Sequence, residues 1–125
     1  MPSILRVLAE EFAVVRMNPN ADVPSSILET PLYSITRSSE ELSILCQASV
    51  APEDVPISLG WKLFKFEGSM EAELTGIIAA VVAPLAERKI STIALTTFEA
   101  GYFGVQARNL EEARTVLADA GHTLN

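Results

Sequence analysis

The amino-acid sequence predicts an α+β fold, and three observations carry the expectation. Short apolar runs are rich in β-formers, polar or glycine-bearing tips join neighbouring runs into hairpins, and two longer stretches repeat their apolar residues every three or four positions. The 125 residues, 49% hydrophobic and 20% charged, are enough to bury a continuous core without a disulfide or a metal, and leave no room for a long disordered tail.

Ile4 to Leu8 and Phe12 to Met17 are apolar runs separated by Ala9-Glu10-Glu11, expected as two strands or one bent hairpin. Asn18 to Asp22 is a loop, because its asparagines, proline and aspartate favour turns. Ser25 to Glu29 has space for a helical turn or two before Pro31 stops it. Leu32 to Thr36 and Leu42 to Cys46 flank the polar tip Ser38 to Glu41 as a second hairpin. Ala48 to Leu59, with Pro52 and Pro56, connects a first half, residues 1–59, to a second, residues 60–125, and is too short to separate independent domains.

Trp61 to Phe66 reads as a strand of imperfect alternation. From Ala72 to Glu87, Leu74, Ile77, Ile78, Val81, Val82 and Leu85 make one helical face. Gly76, Ala79, Ala80 and Ala83 are small enough for close approach to a sheet, and Pro84 deletes the backbone bond to Ala80. Ile90 to Thr97 and Tyr102 to Ala107 form a third hairpin around Phe98 to Gly101, with Gly101 available for a positive φ. Asn109 and Glu112 suit a capping box for a last helix whose stripe is Leu110, Ala113, Val116, Leu117 and Ala120. Gly121 ends it, and His122 to Leu124 starts a short strand. The second half is therefore most of a ferredoxin-like βαββαβ unit. A shift of 59 positions lays Ser38 on Thr97, Glu40 on Glu99 and Gln47 on Gln106, matches that an internal repeat and a coincidence explain equally well.

Several function classes are disfavoured. A formal net charge of −7 repels phosphate backbones and anionic bilayers, so neither nucleic acid nor membrane is an expected partner. The apolar run Ile77 to Ala86 is half the length of a membrane span, and the N-terminus lacks a signal-peptide pattern. One cysteine and one histidine fall short of a zinc set and point to a reducing, cytoplasmic location. No nucleophile and base can be paired, so no catalytic residue, metal or cofactor is expected. His122 is placed to meet a helix dipole as a cation, Cys46 reads as a small buried hydrophobe, and the cluster of Glu67, Glu71 and Glu73 suits an acidic first helical turn as well as acid/base work or a metal.

The motif with most chemical content is Gly68-Ser69-Met70-Glu71, a loop delivering a helix N-terminus whose free N–H groups can hold a carboxylate. Glu71 suits the ammonium or guanidinium at the other end of such a ligand.

Gly60-Trp61, Glu67-Gly68, Leu74-Thr75-Gly76, Ala83-Pro84-Leu85-Ala86, Ile90-Ser91 and Thr96-Thr97-Phe98 follow one another in a characteristic order. With Phe12-Ala13-Val14-Val15-Arg16, Leu32 to Arg37 and Glu41 to Ile44, they resemble small bacterial tandem members of the CASTOR-type ACT proteins over nearly the whole chain. That resemblance implies two ACT-type ferredoxin-like halves packed as one unit, the first with a shortened helix. It also implies a homodimer, an amino acid held at an interface between such folds, and no catalysis. Gly68 and Glu71 match the ligand-facing loop, Thr75 the first helical turn, Thr97 and Phe98 the facing strand end, with Ser34 and Ile35 as further candidates from the first half. Gly101 stands where the family pattern usually has an aspartate, with Glu99 nearby. The expected function is thus a regulatory amino-acid-binding module. The alternative is an ACT-fold interaction module without a ligand.

Overall fold

A computed structural model describes residues 2–67 and 74–125, excluding the side chains of Leu74 and Thr75. The chain divides into two compact units: a larger one of Met1–Ala9 with Lys62–Asn125, and a smaller one of Glu10–Trp61. Strands β1 (Ile4–Met17) and β4 (Ile57–Phe66) supply residues to both.

In the smaller unit, β3 (Leu42–Gln47) pairs antiparallel with β1, Phe12 opposite Gln47 and Met17 opposite Leu42. Strand β2 (Ser34–Arg37) pairs with the other edge of β3, with Ser34 opposite Leu45. The helical turn α1 (Ser25–Leu28) contributes Ile27 to a core of Val15, Leu42, Ile44 and Cys46. Complete burial of each of the large aliphatic side chains stabilises by about 1.5–3 kcal/mol. The loop before α1 is held by Arg37, whose guanidinium donates to the carbonyls of Pro19 and Ala21.

The larger unit contains α2 (Leu74–Glu87), β5 (Thr92–Thr96), β6 (Gly101–Gln106), α3 (Leu110–Asp119) and β7 (Thr123–Leu124). Its strands are ordered β1-β4-β6-β5, and β7 pairs in parallel with β1 through Ile4 and Leu5, so β1 separates β7 from β4. Phe64 stacks on Phe103 at 4.7 Å, with Phe66 tilted against the same ring. Leu5, Val81, Leu85, Val105, Val116 and Leu117 complete the core. The imperfect alternation of β4 has a reason: Leu63 and Phe64 are both buried although they are consecutive. Phe64 joins the aromatic core, while Leu63 lies against the bare backbone of Gly104.

Several expectations needed revision. The N-terminal runs form one strand of 14 residues, because exposed Ala9, Glu10 and Glu11 continue the extended backbone without needing a buried side chain. Gly101 has no positive φ; it is paired with Thr96, and Thr97 closes the turn. Asn109 occupies the N-cap of α3 but makes no side-chain cap bond, since a 3-10 turn, Ala107–Asn109, already leads into the helix. Ala120 is exposed rather than part of the α3 stripe. Gly76, Ala79 and Ala83 also lie exposed, and Gly76 has open space around it, so these small residues serve no close approach.

The C-terminal end of α3 is as expected: Gly121 takes φ +100, with Gly121 N–H donating to Ala118 and His122 N–H to Leu117. His122 has a different role from the expected cation. It is 6% exposed, its Nδ1 accepts the Ser3 N–H at 3.1 Å, and Nε2 lies 3.0 Å from the Ala80 carbonyl. One acceptor and one donor nitrogen describe a neutral imidazole. The donor nitrogen takes the carbonyl that Pro84, lacking an N–H, leaves without its helical partner.

Candidate functional site

The strand β4 carries the chain to Glu67, and α2 is described from Leu74. Gly68 and Glu71, like Ser69, Met70 and Glu73, lie outside the described residues, as does the side chain of Thr75. Entry to this segment is fixed by backbone and side chain together. Glu67 N–H donates to the Ile4 carbonyl at 2.8 Å, and Arg6 Nε donates to Glu67 Oε1 at 2.6 Å. Glu67 is therefore engaged with Arg6; because both groups are partly exposed, their pairing contributes little stability.

Thr97 and Phe98 sit together in the β5–β6 turn. Thr97 N–H donates to the Ala100 carbonyl at 2.8 Å, and its hydroxyl accepts the Ala100 N–H at 2.9 Å. That bond fixes the Thr97 side chain in the turn. Phe98 is 93% exposed, so its ring is available to a ligand or partner. Glu99, expected as a substitute for the missing aspartate, is exposed in the same turn.

Ser34 and Ile35 belong to the smaller unit. As consecutive residues of β2 they point to opposite faces: Ile35 stands opposite Ile44 on the core side, and Ser34 opposite Leu45 on the other. The structure does not bring these two side chains together. Cys46 is fully buried, and burial pushes its thiol pKa up, which disfavours the reactive thiolate. Among the described residues no three His, Cys, Asp or Glu side chains gather as a metal site. No helix among them is long and apolar enough to cross a membrane. The tie between His122 and Ala80 escaped sequence reasoning, although the missing N–H of Pro84 was its visible signal.

The fold agrees with what the chain is similar to. The ACT-domain family model matches residues 57–119, and a family described as an N-terminal domain matches residues 10–54. The chain belongs to the ACT-domain family. Protein Atu0741 from Agrobacterium tumefaciens is 32% identical over 100% of this chain and 93% of its own, with a TM-score of 0.93. The regulatory subunit of aspartate kinase from Thermus thermophilus, in its ligand-free form, shares the fold at 10% identity. There the TM-score is 0.60, with 92% of this chain and 97% of that one covered. Clostridium acetobutylicum aspartate kinase, described as an allosteric enzyme, shows 15% identity and a TM-score of 0.64. That match spans 90% of this chain and 33% of the kinase. No curated protein matches the chain.

Proposed function

We propose that this protein is a non-catalytic sensor of a free amino acid, of the CASTOR type within the ACT family, with two ACT-like halves at residues 1–59 and 60–125. The ligand's carboxylate is received by free N–H groups of the helix N-terminus that the Gly68–Glu71 loop delivers, and its cationic end by Glu71. Thr75, Thr97 and Phe98 complete that site, and Ser34 and Ile35 are contact candidates within the smaller unit. The observation that carries this reading is the ACT match over residues 57–119, which encloses Gly68, Glu71, Thr75, Thr97 and Phe98. The regulatory-subunit likeness supports regulation over turnover. A cytoplasmic homodimer, without nucleic acid or membrane as partner, completes the proposal.

The test is thermal unfolding of the whole chain against each free amino acid, beside Glu71→Ala. A ligand at about a hundred times its dissociation constant adds about 2.7 kcal/mol of stability. The expected result is a shift with one amino acid that vanishes in the variant. No shift with any of them favours the second reading, an interaction module without a ligand. Two features support that alternative: the glycine at position 101, and a phenylalanine at position 98 that stands almost wholly in solvent.

A further inference from the structure

The open face of the smaller unit carries a second candidate site. Rows of directly opposed residues share a face of a sheet, and successive rows alternate. Val15 and Ile44, opposite each other, point to the core with Ile27. The next row, Arg16 opposite Ser43 and Ser43 opposite Thr36, therefore points away from that core. A depression of about 440 Å³ opens there, lined among others by Val14, Arg16, Glu41, Ser43, Ile57 and Ser58.

The polar side chains around this depression have spare bonding capacity. Arg37 spends its guanidinium on two loop carbonyls, whereas among the described residues that of Arg16 has no hydrogen bond or ion pair. Among the described residues the Ser43 hydroxyl and the Glu41 carboxylate are likewise unengaged. Ser58 accepts the Trp61 indole N–H at 2.9 Å, which fixes its oxygen and leaves its own proton to be donated. Arg16 itself is anchored by its backbone, its N–H donating to Pro56 at 3.0 Å.

The geometry points to a site for a small zwitterion, a free amino acid with a short apolar side chain, distinct from the Gly68–Glu71 loop. Arg16, Ser43 and Ser58 supply donors for a carboxylate, Glu41 accepts from the ammonium, and Val14 and Ile57 border the apolar part. The charge balance selects the class. A simple anion meets one guanidinium with Glu41 beside it, and with Glu40 and Asp54 in the adjoining depression that Arg16 also lines. A zwitterion offers both signs a partner.

The experiment is amide chemical-shift mapping of the ¹⁵N-labelled whole chain, titrated separately with each of the proteinogenic amino acids, with acetate and with ethylamine. The expected result is saturable shifts at Val14–Arg16, Ser43 and Ile57–Ser58 with a small apolar amino acid. Arg16→Gln and Glu41→Gln should each weaken them about tenfold or more, and Glu71→Ala should leave them unchanged. Saturable shifts confined to residues 67–76 and abolished by Glu71→Ala overturn this second site while supporting the proposed loop site. Acetate binding as tightly as the amino acid overturns the zwitterion assignment, and no saturable shift at the β1, β3 and β4 amides overturns the site altogether.

Discussion

In the smaller unit β3 runs from Leu42 to Gln47; in the larger unit β6 runs from Gly101 to Gln106, and the two strands have the same sequence of buried and half-buried positions. Each is preceded by a four-residue turn closed by the same backbone bond, Ser38 N–H to Glu41 and Thr97 N–H to Ala100. Each is followed by a three-residue 3-10 turn, Ala48–Val50 and Ala107–Asn109. Every one of these pairs is 59 positions apart, and so are the cross-strand partners Ser34–Leu45 and Ile93–Gly104. The shift that matched three residues in the sequence thus extends through turn, register and burial, which supports a repeat.

What differs is the packing that the hairpins receive. Leu45 in the smaller unit corresponds to Gly104 in the larger, where a Cβ would come within 2.7 Å of Leu63 Cδ2. One hairpin fills its position with its own side chain, and the other leaves space for a neighbour's. Preceding them, α1 has four residues and α2, from Leu74 to Glu87, has 14. Main-chain bonds and turn chemistry fix a hairpin's register, so its core can diverge without the pairing slipping.

The sharpest way to break this comparison is to truncate the core residue of each hairpin. Phe103→Ala removes one of two stacked rings and should cost about 3–5 kcal/mol, while the corresponding Ile44→Ala should cost about 2–5 kcal/mol, at the lower end of that range. Urea midpoints of the two variants decide it. An equal or larger loss for Ile44→Ala would remove the claim that the aromatic stack makes the larger unit's hairpin the more heavily supported. A smaller effect is expected at His122, which has no counterpart in the smaller unit. His122→Ala leaves the Ala80 carbonyl and the Ser3 N–H without their partner, at about 1–3 kcal/mol. In a Pro84→Ala background, where the helix regains the missing donor, the same substitution should cost less; a strictly additive double-mutant cycle would separate the proline from the histidine. The smallest effects belong to the turns. Ser38→Ala and Thr97→Val should each cost about 0.5–1 kcal/mol, and similar losses in thermal melts would sharpen the equivalence of the two tips.

Much of the fold was legible because polar tips and β-formers fall where the hairpins do, and because Pro24 and Pro31 bracket a short helix as Gly121 ends a longer one. The long β1 was not, since Ala9-Glu10-Glu11 carries no apolar alternation even though a backbone held by neighbouring strands remains extended there. Gly101 and Asn109 illustrate the same limit: both have the residue type for a special role, but Thr97 and the 3-10 turn supply what the backbone needs. At the candidate site, the sequence indicated the turn from Phe98 to Gly101 but put Thr97 in the strand before it, where the structure ends β5 at Thr96. It could not show that the Arg16 guanidinium is without a partner among the described residues while that of Arg37 is engaged, because that depends on which loop each guanidinium reaches.

Trp61 is the chain's sole tryptophan, 7% exposed, with its indole N–H held by Ser58. A single indole coupled through one hydroxyl to the wall of the Arg16 depression is an optical gauge already installed in the molecule. An occupant that draws on Ser58 alters the polarity felt by that indole, so emission can be followed on the unmodified protein without any attached label.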